Sequence, residues 1–350
     1  MPGYRKQQGL ALITVLLVFA IVTLLATNII DRQATDVQRS ANMFTFQQSR
    51  ALTYAAEEAI RAVLYEDWKD DKTKDTLNDH WNGLGQNKTG IHGPYQIGDG
   101  KITGYIIDAQ GRFNLNSLSA KSANKAVQQQ RFSNLLKLLG LDTQLASSVS
   151  RWMDKESQVD NVYEALEPAY RAAYQGCSHT SELLLVEEFS AEAYQKLLPY
   201  ITCLPIEVQL NVNTASAAVL ASLGNELTLQ DGESLVNSRG KDGFASLDDF
   251  WNQDILKRYT EPQNTGNDNN QAESKWQKGD FAILTEYFEL FARADLAERY
   301  ATSEILIKRD KGDGRTSIVY RDYSRREQKP KAQVPGQQNS NTSQYQTGSS

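Results

Sequence analysis

Leu10 to Ile30 is a run of twenty-one residues without a charge, in which only Thr14, Thr23, Thr27 and Asn28 are polar. A helix of about 20 residues rises roughly 30 Å, the thickness of a bilayer's hydrocarbon core. The run is therefore long enough to span a membrane. Arg5 and Lys6 precede it and Asp31 is the first charge after it, so the positive-inside bias places the short leader in the cytoplasm and everything downstream on the far side.

A cleaved secretory signal is the rival reading, and two features oppose it. The apolar run exceeds the usual h-region of about 7–15 residues, and Ala26-Thr27-Asn28-Ile29-Ile30 offers no small-residue cleavage site followed by a break. Helical sequence simply continues. From Leu10 to Trp68 there is neither Gly nor Pro, and Ala34, Val37, Ala41, Phe44, Leu52, Ala55, Ala59 and Val63 recur at three- and four-residue spacing.

The remaining length is enough for roughly two globular domains at about 150 residues each. At 40% hydrophobic and 23% charged, the chain is not a disordered one. A net charge of −6 argues against a protein that neutralises many phosphates. Three histidines and two cysteines, lacking close pairs, exclude a structural zinc site.

Beyond Trp68, Gly83, Gly85, Gly90, Gly93 and Pro94 break any helix. Residues 95–97 and 101–108 read as a hairpin, with Asp99-Gly100 as its tight turn. Residues 113–258 read as mainly helical, with segments at 128–139, 145–153, 181–188 and 191–200. Asp142 and Ser190 are the caps of two of them. Residues 264–271 are a polar loop. Three β-like runs follow, at 281–292, 303–308 and 316–323, the last two joined by Asp310-Lys-Gly-Asp-Gly314. After Ser324 the composition cannot bury enough to order itself.

A lone hairpin at 95–112 would be marginal in water. One antiparallel sheet interrupted by a helical insertion is the economical solution. The expected fold is thus α+β. A leader (1–9) precedes a long N-terminal helix (10–68), which packs on a sheet made of 69–112 and 281–323. A large helical domain (113–280) is inserted between the two parts of the sheet, and 324–350 form a tail.

A basic leader ending in Gly9, then an apolar segment merging into a long amphipathic helix, resembles the type IV prepilins. That resemblance implies cutting by a prepilin peptidase between Gly9 and Leu10, methylation, and retention of the apolar segment. Most members carry Glu at the fifth residue after the glycine, and here that residue is Thr14. Intramembrane charge costs about 2.5–3.5 kcal/mol even on lenient scales, so the Glu needs a partner amine. A subunit without it suits a unique position such as a fibre end. The phrases Gln8-Gly9-Leu10-Ala11-Leu12-Ile13-Thr14, Gly111-Arg112-Phe113-Asn114-Leu115-Asn116, Ala169-Tyr170-Arg171-Ala172-Ala173 and Leu210-Asn211-Val212-Asn213-Thr214-Ala215 together resemble one subfamily, the type II secretion minor pseudopilin K, over about 10–320. The resemblance implies an inner-membrane, single-pass subunit with its body in the periplasm. It would cap a pseudopilus tip with minor pseudopilins I and J and help export folded proteins through an outer-membrane secretin.

Asn211 to Phe250 also resembles a helix-hairpin-helix module, and with it a membrane-anchored DNA receptor. Residues 207–251 carry two basic and seven acidic side chains, which would repel phosphate, so Thr214 is read as a helix cap. Asp154, Glu156 and Asp160 form an oxygen-rich run of the kind calcium uses. The resemblance places calcium ligands in this region, with Asp154 and Asp160 matching and Glu156 replacing an Asp; a solvated acidic loop is the equal alternative. Asp310 and Asp313 are explained by a hairpin turn. Cys177 and Cys203 both fall in the part placed beyond the membrane, where an oxidising compartment favours a disulfide. His80, His92 and His179 lie in polar, turn-rich or helix-start contexts and nothing in the sequence orients His179, no Ser sits in a nucleophile elbow, and the Glu57-Glu58 and Glu187-Glu188 pairs read as solvated helix faces. The reading is of a protein that acts by assembly rather than catalysis, with partner helices packing along Val37, Ala41, Phe44 and Leu52.

Overall fold

The computed structural model describes residues 8–82, 94–260, 276–297 and 299–323. The leader's Arg5 and Lys6, the glycines at 83, 85, 90 and 93, His92, the polar stretch 264–271 and the tail from 324 lie outside the described residues. Helix α1 (Gln8–Asp70) runs unbroken for 63 residues, about 95 Å at 1.5 Å per residue. After it come strands β1 (Tyr95–Ile97), β2 (Gly100–Asp108) and β3 (Phe113–Asn114), then helices α2 (Lys125–Leu138), α3 (Leu145–Met153), α4 (Asp160–Glu164) and α5 (Ala191–Leu197). Strands β4 (Ile201–Thr202) and β5 (Leu210–Asn211) lead into α6 (Ala217–Ser222), α7 (Leu229–Arg239), α8 (Leu247–Trp251) and α9 (Lys257–Thr260). The chain closes with β6 (Phe281–Ala282), β7 (Tyr287–Leu296), β8 (Arg299–Arg309) and β9 (Thr316–Asp322).

The fold is α+β. A five-stranded antiparallel sheet in the order β1-β2-β7-β8-β9 packs against the C-terminal part of α1. Strand β2 pairs with β7 continuously from Gly100↔Leu296 to Asp108↔Phe288. The intervening chain therefore leaves and re-enters the sheet at neighbouring strand ends. That is the geometry an inserted domain needs, because its two ends are already closed by the ladder. Gly104 sits in the middle of this pairing. A Cβ there would lie 2.3 Å from the Phe291 carbonyl oxygen, so the two strands approach as they do only with glycine at this place.

Ala56, Ile60 and Leu64 of α1 meet Ile102, Ile106, Phe288, Leu290, Ile305 and Ile307 of the sheet, with Trp81 folded in beside Phe288. The buried face of α1 is Ser49, Thr53, Ala56, Glu57, Ile60, Leu64, Asp67 and Trp68. This differs from the apolar stripe read in sequence: Ala55 and Ala59 are exposed, while Leu52 and Val63 lie at the half-buried margin. The reason is that polar side chains bury here with partners. Thr53 Oγ1 donates to Arg50 O at 2.8 Å, and Glu57 receives a two-pronged bond from Arg321 at 2.6 and 2.7 Å.

The insertion holds two separate cores. The first joins Phe113, Phe132, Leu135, Trp152, Tyr163 and Leu197, and the second joins Val212, Leu220, Leu235, Phe250, Leu256 and Phe281. Several local expectations change. The hairpin turn is centred on Gly98-Asp99, since Ile97 pairs with Gly100 and positive φ falls on Gly98. The single strand expected over 281–292 is two: β6 pairs in parallel with β5, and β7 begins at Tyr287. Between them Thr285 N donates to the buried Asp75 at 2.6 Å. Strand β7 runs on to Leu296, which pairs with Arg299 at the start of β8, so both strands extend beyond the runs read as ending at 292 and beginning at 303. Residues 181–188 form a 3₁₀ turn over Thr180–Leu185, and Glu188 sits at φ 67° outside any helix. Asp142 accepts from Gln144 N one turn before α3 and does not cap it, whereas Ser190 caps α5 through Ala193 N. The Asp310–Gly314 segment is a hairpin turn in which Asp310 Oδ1 accepts from Gly312 N at 2.7 Å.

Candidate functional site

The N-terminal half of α1 is the largest uncovered apolar surface among the described residues. Leu16, Phe19, Leu24 and Ile30 are each more than half exposed, and the same holds for Val37, Met43 and Phe44 further along. Its polar groups are internally satisfied. Thr23 Oγ1 donates to Phe19 O, Thr27 Oγ1 to Thr23 O and Asn28 Nδ2 to Leu24 O, at 2.8–3.0 Å. A helix with its polar groups spent on the preceding turn suits a hydrocarbon medium, which offers no other partner. Gly9, Leu10 and Thr14 all lie on α1. Phe44 is 65% exposed and Ala41 is exposed too, whereas Leu52 packs against the sheet and is not available to a partner helix.

The insertion is fastened to the sheet by a buried polar junction. At the end of β2, Asp108 Oδ2 accepts from Asn211 Nδ2 at 2.9 Å, Thr214 Oγ1 at 2.6 Å and Thr285 Oγ1 at 2.5 Å, while Oδ1 accepts from Gln110 N at 2.7 Å. Burial raises the Asp108 pKa and these bonds oppose the rise. Thr214 therefore serves the junction and does not cap a helix; Ser216 caps α6 through Val219 N. Gln110 Oε1 accepts from the Glu286 and Tyr287 amides, and its Nε2 donates to Gln209 O. Asn116 holds Cys177 by N–H to Oδ1 at 2.7 Å and by Nδ2 to O at 3.0 Å. Asn116, Asn211 and Thr214 belong to the phrases of the family pattern, Asp108, Gln110 and Thr285 do not, and no periodicity signals that they meet.

Next to the junction lies Arg309, 1% exposed, at the end of β8. It donates to both Asp75 oxygens at 2.5 and 2.6 Å, to Asp67 at 3.3 Å and to the Leu64 and Thr285 carbonyls. Asp67, Asp75 and Asp79 bring ligand oxygens within 4.8 Å of one another. Burial, then Asp79 and Asp75, push the Asp67 carboxyl up to about 8 against the pull of Arg309. The guanidinium supplies the positive charge that makes such a cluster tenable.

The expected calcium run does not converge. Asp154 Oδ2 is paired with Lys125 Nζ at 2.8 Å and its Oδ1 accepts from Glu156 N, so the Lys125 ammonium holds the carboxyl below its ordinary pKa. Asp160 Oδ1 is spent on Ala172 N at 3.2 Å, and Glu156 is exposed. An ammonium on one carboxylate and a backbone amide on another leave a donor set that does not fit a calcium ion. Cys177 and Cys203 form a disulfide with Cα atoms 5.7 Å apart. His179 is not unoriented: its ring contacts Ser181 Oγ and, at 2.9 Å, the buried Glu304 of β8. The α6–α7 hairpin turns its groups inward. Tyr259 OH accepts from Glu226 N at 3.1 Å, the Tyr259 ring stands where a Gly224 Cβ would fall, and Arg239 is buried on the Val212 and Ala215 carbonyls. The Glu226 amide and the Arg239 guanidinium are thus already engaged within the fold and are not offered to a phosphate.

Two family models described as type II secretion system protein K match residues 111–206 and 210–267, and the break between them falls between the insertion's two cores. The chain is 33% identical over 332 residues to type II secretion system protein K of Pseudomonas aeruginosa, covering 91% of this chain and 93% of that protein. It is also 33% identical over 273 residues to the protein of that name from Klebsiella pneumoniae, covering 73% and 82%. A chain of the crystallised GspK-GspI-GspJ complex of the enterotoxigenic Escherichia coli type 2 secretion system has the same fold. It matches with a TM-score of 0.65 at 23% identity, over 83% of this chain and 99% of that one.

Proposed function

The chain belongs to the type II secretion system protein K family, and on that premise we propose that it is a minor pseudopilin at the tip of a periplasmic pseudopilus. There it helps start assembly of the fibre that exports folded proteins across the outer membrane. The observation that carries the reading is helix α1. Its first part is uncharged from Leu12 to Ile30 and buries nothing, while its last turns pack against the sheet from which the inserted domain departs. One end is built for hydrocarbon and for other helices, the other for carrying a broad head. The complex in which the fold relative was crystallised supports minor pseudopilins I and J as partners. The exposed run through Val37, Ala41 and Phe44 is the surface we assign to them. Thr14, where most pilin-like chains carry Glu, suits a terminal subunit because it makes no demand for a neighbour's amine. We assign this role to assembly alone and no catalytic step to any side chain.

In this reading a prepilin peptidase cuts between Gly9 and Leu10 and leaves α1 in the inner membrane with the body in the periplasm. Intact mass and N-terminal sequencing of the membrane-extracted protein, made with and without the peptidase, test it. The expected result is an N-terminus at Leu10 that depends on the peptidase. An N-terminus near Thr27–Asp31, or an uncut chain in both cells, would remove the proposal.

A further inference from the structure

From Asp154 to Glu192 stand nine acidic side chains and two basic ones. This segment forms the part of the first insertion core that carries α4, the 3₁₀ turn and α5. Exposed leucines interrupt the acid. Leu166 is 42%, Leu184 44% and Leu185 46% exposed, unusual positions for large apolar side chains when a core lies directly beneath them.

The turns bearing them adjoin. Tyr170 OH donates to Leu185 O at 2.9 Å, Tyr163 O accepts from both Leu166 N and Tyr170 N, and Tyr163 OH accepts from Glu187 N at 3.4 Å. The tyrosine pair thus clamps the 164–169 turn against the 184–188 turn. Some carboxylates in the segment are already spent: Asp154 on Lys125, Glu164 on Arg171, and Glu182 in the His179 capping box. Glu167, Glu187 and Glu188 make no ion pair among the described residues, and Glu167 and Glu188 are exposed. Leucines beside unpaired carboxylates lose little by facing water singly, but together they select a partner of opposite character.

We infer that this face is a docking surface for a protein segment presenting apolar side chains flanked by Lys or Arg. The leucines supply burial and the glutamates supply register and charge complementarity. An anionic membrane surface is disfavoured by the same glutamates. The surface lies in the insertion, away from α1, and its occupancy does not depend on the fibre-tip reading.

The full chain in a phosphatidylcholine nanodisc, with EGTA present, is titrated with a fluorescent sixteen-residue peptide repeating Leu-Lys-Lys-Leu, against empty nanodiscs and a Leu-Glu-Glu-Leu counterpart. The lysine peptide is expected to bind and the glutamate peptide not to. L184S/L185S should weaken binding at least tenfold, and E167Q/E188Q about fivefold with a shallower salt dependence, both with melting unchanged because all four side chains are exposed. Equal binding of both peptides, or leucine variants within twofold of the parent, would overturn the inference. So would attachment of the nanodisc-held protein to phosphatidylcholine vesicles that L184S/L185S abolishes, which would make the face a lipid-binding one.

Discussion

Asp67 shares the buried Arg309 guanidinium with Asp75, and the Asp79 carboxyl lies close to both. The Asp67 carboxyl is pushed up to about 8, first by burial and then by Asp79 and Asp75, against an ordinary value near 4 when unfolded. A folded-state pKa above the unfolded one stabilises the protonated form. The contribution is complete below pH about 4 and is lost as pH rises through about 8. The melting temperature should therefore fall between pH 5 and 9, and Asp67→Asn, which keeps the neutral shape, should flatten that slope and melt higher than the parent at pH 9. Thermal melts across this range check it; parallel slopes for the two proteins would count against a proton held on Asp67. Gly314 shows another residue-scale constraint. At φ 72° a Cβ there would also meet the Trp68 ring at 2.5 Å, so both its backbone angle and its neighbour demand glycine.

Helix α1 does different work along its length, and the division falls at Ser49. Before that point the side chains face outward, and after it a three–four stripe meets the sheet. The two halves should respond to mutation differently. Phe44→Asp replaces a side chain that is 65% exposed, so the isolated subunit should melt as before, while co-purification with the partner pseudopilins should be lost. Unchanged recovery of the partners on affinity pull-down would show that this stretch is not the packing surface. The stripe itself was legible in spacing only to within one residue. Apolar letters select Ala55, Ala59 and Val63, whereas the fold buries Ala56, Ile60 and Leu64 together with Thr53 and Glu57, because Arg321 on β9 satisfies Glu57 from 264 residues away in sequence.

As a whole the molecule is a helix-and-sheet body with a two-core insertion, and the insertion depends on long-range ties. The Cys177–Cys203 disulfide closes a 26-residue separation that includes the 3₁₀ turn and α5. Constraining such a loop contributes roughly 3 kcal/mol in the chain-entropy model. The double Cys→Ser variant should accordingly raise amide exchange throughout 177–203 and the core it joins, while β2, β7 and β8 keep their protection. Exchange mass spectrometry resolves the two regions. A uniform rise across the sheet would mean that the insertion and the body unfold as one unit.

Sequence alone determined the membrane-length helix, the antiparallel sheet split by an insertion, the 145–153 helix to the residue, the Ser190 cap and the family phrases. Each of these rests on local periodicity, turn chemistry or a short contiguous pattern, and those are properties of neighbouring residues. Tertiary structure decided the rest. Asp108 gathers Asn211, Thr214 and Thr285 only once β2 and β7 pair, Arg309 gathers Asp67 and Asp75 only when β8 lies on α1, and Lys125 takes the carboxylate that a metal would need only when α2 meets the loop after α3. Buried polar groups must find partners wherever the folded chain provides them, and those partners lie tens to hundreds of residues away, beyond the reach of any spacing rule.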